Sequence, residues 1–151
     1  MQRFFGAGPI CSFVGIVLVF IVYYLERQFG IQGFIISGFI SNVILIISTV
    51  LTFTVIIWSF ISLPPYKRGK ELATNGAYRH IRHPIYAAFL VFVVIGIGLY
   101  LGSYGILLMG IVLILICGRL IEIEEKHLLK KFGSKYEEYQ KRTKKFIPWI
   151  Y

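Results

Sequence analysis

The sequence has no aspartate, only two cysteines, and long stretches without any charge. Seven glutamates supply all of its negative side-chain charge against sixteen Lys and Arg, leaving a formal net charge of +9. Charged residues make up 15% of the 151 residues and hydrophobic ones 57%, whereas about 25% charged is usual in a soluble domain. That deficit excludes an ordinary cytosolic globule. Cys11 and Cys117 both fall in apolar surroundings, and the sequence holds neither a CxxC nor a Cys/His cluster. A metal site and a disulfide framework are therefore not expected, and both thiols read as small apolar residues. With no long repeat, low-complexity tract or soluble second domain, residues 1–151 read as a single membrane domain.

Three stretches carry no ionisable side chain other than Tyr or Cys: Phe4 to Leu25, Gly33 to Leu63 and Pro84 to Gly118, of 22, 31 and 35 residues. Each exceeds the roughly 20 residues that cross a hydrocarbon core of about 30 Å as a helix. The third would be about 52 Å long as one helix, too long for one span, and Gly102-Ser103-Tyr104-Gly105 supplies a turn near its middle. The expectation is an all-α polytopic membrane protein with four transmembrane helices, near residues 8–25, 39–61, 84–101 and 104–121, with five as the alternative. Gly33 to Gly38 would lie at the interface. Tyr23 to Arg27 offers no small-residue cleavage site, so the first span reads as an anchor rather than a cleaved signal peptide.

Fourteen of the sixteen cations lie in residues 64–83 and from Arg119 onward, the two segments that flank the predicted hairpin on one face. The positive-inside rule makes that face cytoplasmic, with both termini inside the cell membrane. The +9 is then mainly a topology signal that also favours contact with anionic lipid head groups, and nucleic-acid binding is not expected.

Any water-soluble cofactor must be held by segments 64–83 and 119–151. Pro84 suits the first turn of a helix because its missing N–H would be unpaired there anyway. Arg82 and His83 thus fall at a helix N-terminus, beside free backbone N–H groups that suit a carboxylate or phosphate. The plainer reading makes them interfacial anchors snorkelling to head groups. In the second segment, Leu128, Phe132, Tyr136 and Tyr139 recur at helical spacing and form one apolar stripe, as in an amphipathic helix lying on the bilayer. Such a helix does not explain Glu122, Glu124 and Glu125 at the base of a membrane helix, where carboxylates gain nothing from anionic lipid and are costly to bury unpaired. Arg119, Arg82 and His83 are the available partners. The resulting cluster is either a functional site or an ion-pair network that ties two segments together.

Two blocks in these segments resemble the isoprenylcysteine carboxyl methyltransferases and related phospholipid methyltransferases, integral membrane enzymes that use S-adenosylmethionine. The first is Leu72-x-Thr74-x-Gly76-x-Tyr78-x-x-x-Arg82-His83-Pro84-x-Tyr86. The second is Glu124-Glu125-x-x-Leu128-x-x-x-Phe132-Gly133-x-x-Tyr136-x-x-Tyr139, with Pro148 near the end. The likeness covers roughly residues 64 to 148. Ala77 stands where a proline is common, and Ala88 where a glycine is.

The resemblance implies a pocket for S-adenosylmethionine on the cytoplasmic side and a lipophilic acceptor that enters sideways between helices. It also implies Arg82 and Glu125 as the residues central to catalysis. Arg82 would take the cofactor carboxylate, His83 a polar contact, and Glu124 or Glu125 the amino group or ribose, with Pro84 in the motif and Tyr78, Tyr86 and Phe132 packing around them. A carboxylate acceptor needs no general base, whereas a hydroxyl or amine acceptor does. His127 reads as solvated. The competing readings are an NADPH-dependent membrane reductase of the sterol reductase type and a non-enzymatic small transporter or scaffold. The last is disfavoured because the long spans lack Lys, Arg, Asp, Glu and His.

Overall fold

A computed structural model describes residues 8–146. Among the described residues, four helices are long and apolar enough to cross a membrane: α1 (Gly8–Gln28), α2 (Gly38–Ser62), α3 (Pro84–Leu101) and α4 (Tyr104–Phe132). A short helix, α5 (Ser134–Arg142), follows. The chain is an all-α polytopic membrane protein. Pro148 of the second motif lies outside the described residues.

The apolar composition sets an arrangement in which large side chains point outward. Phe13, Phe20, Phe39, Phe53 and Ile61 are among many exposed apolar residues on α1 and α2, and in a bilayer they meet lipid at no desolvation cost. The hydroxyls of α2 are satisfied within the helix: Thr52, Ser59 and Ser62 donate to the carbonyls of Ser48, Val55 and Trp58 at 2.7, 2.6 and 2.7 Å. The protein core lies between α1, α3 and α4, where Tyr86, Leu90, Val94, Ile106, Leu113 and Ile121 pack together with Cys11 and Cys117. Residues 88–94 of α3 are wound as a π-helix, a form uncommon elsewhere and frequent at functional sites.

The hairpin turn falls at Gly102-Ser103. Gly102 closes α3 at φ 63°, and a Cβ there would sit 2.1 Å from the Phe34 carbonyl, so both the backbone conformation and the close approach demand glycine. Of the stretch Gly33 to Gly38 expected at the interface, Gly38 opens α2 and the rest belongs to a non-helical segment, residues 31–37, against which this turn packs, with Phe34 N–H donating to Gly102 O at 2.9 Å. Gly96 packs against Ser48 and Gly98 against Leu107, so these small residues serve contacts within the chain.

Two features of the C-terminal segment go beyond the sequence. The helix of the fourth span is not confined to the neighbourhood of residues 104–121, because α4 runs unbroken through the glutamates to Phe132. At 1.5 Å per residue its 29 residues reach about 43 Å, so its last turns stand clear of a core of about 30 Å. The stripe from Leu128 to Tyr139 is not one helix face either. The chain breaks at Gly133 (φ 55°), and Tyr136 and Tyr139 are buried on α5 instead of lying on the bilayer.

Candidate functional site

The first motif is held against the end of α2. Gly76 begins a 3-10 turn (Gly76–Arg79) at φ 60°, and a Cβ on it would lie 2.1 Å from Ser62 Oγ. That same hydroxyl accepts the Ala77 N–H at 3.1 Å. A proline at 77, common in the resembling family, would have no N–H to give. The His80 ring rests 5.7 Å from that of Trp58. From this anchored turn the chain passes through Arg82 into His83, the N-cap of α3, with Pro84 buried at the first helical position.

The C-terminal segment then straps across the motif. Arg82 N–H and His83 N–H donate to the carbonyls of Lys144 and Lys145 at 2.8 and 3.1 Å, around an isolated parallel bridge between Ile81 and Lys144. Phe146 is buried in the core beyond it. These backbone bonds satisfy donors at the start of α3 that a free anion would otherwise have met.

The side chains converge on Glu125. Its Oε1 accepts Arg82 Nε at 2.6 Å and lies 3.3 Å from His83 Nε2, while Oε2 accepts Gln140 Nε2 at 3.3 Å. An ionised carboxylate only accepts, so the bond to His83 requires the proton on Nε2. The Arg82 and Glu125 side chains are 10% and 8% exposed, which makes this a buried ion pair whose partners depend on each other. Arg82 Nη1 also donates to the carbonyls of Gln140 and Thr143. The guanidinium thus ties together α4, the end of α5 and the strap.

Glu124 faces differently. Its Oε2 accepts the Tyr86 hydroxyl at 2.8 Å, and among the described residues no cation lies within ion-pair distance of it. Tyr86 in turn meets the His83 ring edge-on, 5.4 Å between centroids. The guanidinium is therefore paired with Glu125 alone, and the half-buried Glu124 retains capacity for an ammonium or a hydroxyl.

Tyr139 donates its hydroxyl to Tyr78 O at 2.7 Å, fixing α5 to the first motif. Burial raises the phenol pKa of Tyr78, Tyr136 and Tyr139 above the usual value, so all three remain protonated donors. The Tyr136 hydroxyl has no hydrogen-bond partner among the described residues.

Of the residues singled out in the sequence, Arg82, His83 and Glu125 are in direct contact, and Tyr86 and Glu124 join them. Pro84 acts through backbone shape, and Tyr78 through its carbonyl. Phe132 lies apart from these bonds, half-buried with the Lys131 ammonium 5.7 Å from its ring. Arg119 is exposed, and Glu122 pairs instead with Lys145 at 3.3 Å. His127 is exposed and bonds to Ile123 O at 2.9 Å. Gln140 and Thr143 had no sequence signal, since one contributes an amide among polar neighbours and the other a backbone carbonyl.

Two clefts open nearby. One of about 230 Å³ is lined by Glu122, Glu125, Lys126, Leu129 and Gln140, and so borders the cluster directly. The larger, about 290 Å³, lies between the end of α2 and residues 64–75, where Thr74 and Asn75 of the first motif line it. The chemistry is concentrated at the smaller one.

A family model described as phospholipid methyltransferase matches residues 25–135. The chain is similar to the protein-S-isoprenylcysteine O-methyltransferase of Schizosaccharomyces pombe, 36% identical over 95 residues, which are 61% of this chain and 40% of that protein. It is 32% identical over 85 residues to a probable protein-S-isoprenylcysteine O-methyltransferase of Oryza sativa subsp. indica, covering 56% of this chain and 44% of the relative. A Dictyostelium discoideum protein of the same name is 32% identical over 80 residues, 53% of this chain and 34% of its own length. In each case the match covers less than half of the relative.

Proposed function

Because this chain belongs to the phospholipid methyltransferase family, we propose that it transfers a methyl group from S-adenosylmethionine to a lipophilic acceptor dissolved in the membrane. The observation that carries this reading is the buried cluster of Arg82, His83 and Glu125, with Glu124 and Tyr86 beside it, where both motif blocks meet at the ends of α3 and α4. Its donor set fits the methyl donor: a carboxylate with spare capacity for an ammonium or ribose hydroxyls, a guanidinium for a carboxylate, and aromatic rings for a sulfonium or adenine. S-adenosylmethionine supplies, when bound, an electrophilic methyl carbon on a sulfonium, open to in-line displacement.

Within that reading Glu124 is the carboxylate that meets the cofactor. Both oxygens of Glu125 are engaged within the protein, so Glu125 positions Arg82 and His83. Arg82 Nε and Nη1 are likewise engaged, which leaves Nη2 for a cofactor carboxylate. Tyr78, Tyr86 and Pro84 shape the wall, and Phe132 packs at its margin. The protein's main task is then to hold an acceptor oxygen, nitrogen or sulfur about 3 Å from the methyl carbon. The names of the relatives favour a carboxylate acceptor on an isoprenylated cysteine, and this agrees with a site whose imidazole is already bonded to Glu125, since a carboxylate needs no base. The cation-rich ends of α3 and α4 face the cytoplasm in this arrangement, and both termini lie inside the cell membrane.

The test is calorimetric titration of the detergent-solubilised protein with S-adenosylhomocysteine and, separately, NADPH. Binding of the first alone is expected. Binding of NADPH without S-adenosylhomocysteine would overturn the proposal in favour of a reductase. Labelled methyl transfer into a lipid extract would then identify the acceptor class.

A further inference from the structure

Tyr136 is 1% exposed, and its hydroxyl is the one buried side-chain polar atom without a hydrogen-bond partner among the described residues. A phenol shut away from water without a partner is costly, and folds seldom retain one without compensation. Removing the oxygen would leave the same ring to fill the same space, so packing alone does not account for tyrosine here. Its neighbour on α5 shows the contrast. Tyr139 is also buried, but its hydroxyl bonds to Tyr78 O at 2.7 Å.

The surroundings are those of the site. Gln140 lies one turn further along α5 on the same face; it bonds to Glu125 and lines the cleft of about 230 Å³. The rings of Tyr136 and Tyr139 are 6.0 Å apart. Glu125, Arg82 and Glu124 are all close enough for their charges to act on the phenol, and burial holds it protonated. The hydroxyl is therefore a proton donor beside a cation, and it lacks an acceptor.

We propose that Tyr136 is a ligand-binding residue of this site, its hydroxyl donating to a carboxylate oxygen of the bound methyl donor beside Arg82. The inference rests on the methyltransferase reading and adds a contact to it. A carboxylate is the acceptor that both a guanidinium and a phenol recognise, and neither of the two protein carboxylates nearby accepts a hydrogen bond from the phenol.

Tyr136→Phe and Tyr139→Phe separate this role from a structural one, with binding and thermal unfolding measured on the full-length protein in detergent. Unliganded Tyr136→Phe should unfold at the same temperature as the parent or higher, because it removes an unpaired group, whereas Tyr139→Phe should unfold lower. Tyr136→Phe should bind S-adenosylhomocysteine roughly tenfold to a hundredfold more weakly, the range for one hydrogen bond to a charged group. It should bind 5′-methylthioadenosine, which lacks the amino-acid portion, as the parent does. Unchanged S-adenosylhomocysteine affinity, equal losses for both ligands, or a fall in unliganded stability matching that of Tyr139→Phe would each overturn the inference while leaving the methyltransferase reading in place. A parent protein that binds no S-adenosylhomocysteine would overturn that reading, and this inference with it.

Discussion

The two ends of the α3–α4 hairpin are each organised around a buried or half-buried glutamate, and they use it in opposite ways. At the turn, Glu26 from α1 accepts Ser103 Oγ at 2.6 Å and Gly105 N–H at 2.8 Å, while Ser103 Oγ accepts Ile106 N–H at 2.9 Å. The carboxylate caps the N-terminus of α4 from a neighbouring helix, where the helix dipole also favours it. Every bond there goes to a backbone group or to the residue that caps it. At the motif end, Glu125 bonds to a guanidinium, an imidazole and an amide, all of them side chains, and beside it lie a second carboxylate with spare capacity and an unpaired phenol. A carboxylate consumed by local backbone closes a fold. One consumed by side chains from two other segments, with a phenol left over, is the arrangement that the proposed cofactor site requires.

Substituting the two glutamates should separate these roles most sharply. Glu125→Ala leaves Arg82 buried without its counter-ion, and losing one partner of such a pair costs about 3–5 kcal/mol. Unfolding by denaturing detergent should register that loss, together with loss of S-adenosylhomocysteine binding. Glu26→Ala should cost about 2 kcal/mol, the value of charged hydrogen bonds at a helix cap, and the variant that remains folded should keep its ligand affinity. If Glu26→Ala abolished binding while leaving stability unchanged, the division between the two ends would fail.

The sequence exposed these ends unequally. The charge-free stretches determine four helices and the turn between the last two, because a membrane leaves few alternatives for an uncharged run of that length. The motif end was legible because the glutamates there gain nothing from anionic lipid and have no reason to collect at a membrane surface unless they face cations. Glu26 was not legible. Next to Arg27 it reads as half of a cancelling pair, and only the return of residues 31–37 beneath the Gly102 turn brings it to Ser103. The break at Gly133 was equally hidden, since a spacing of four, four and three fits one continuous helix as well as two helices that bury the same face. Nor does the sequence show the strap of residues 144–145, whose contribution to the site is backbone carbonyl oxygen.

A smaller effect probes how the motif end is anchored. Gly76→Ala places a side chain at φ 60°, where a non-glycine residue pays about 1–2 kcal/mol, and its Cβ would have to displace the Ser62 hydroxyl. Gly76 touches neither Arg82 nor Glu125, so the expected result is a modest fall in stability accompanied by weaker S-adenosylhomocysteine binding. Gly69 provides the control, because it also has a positive φ of 71° but nothing within 4 Å of an added Cβ. Gly69→Ala should carry the backbone penalty alone and leave ligand affinity intact. Equal losses of affinity would mean that the loop as a whole, rather than the contact with Ser62, sets the position of Arg82.

The smallest effect should come from the glutamate one turn before Glu125. Glu122 pairs with Lys145 at 3.3 Å, but its side chain is 47% exposed, and exposed pairs contribute about 0–1 kcal/mol. Glu122→Gln should therefore leave unfolding within that range and become harder to distinguish from the parent as salt is raised. Glu122 nevertheless lines the cleft that Glu125 and Gln140 border, so its charge acts on any ligand there even though it stabilises little. If the cleft receives a zwitterionic amino-acid group, the affinity of Glu122→Gln for S-adenosylhomocysteine should change by less than that of Glu124→Gln, whose carboxylate is half-buried and meets only the Tyr86 hydroxyl among the described residues. The reverse order would move the cofactor's cationic end out to the rim of the cleft and away from Tyr86.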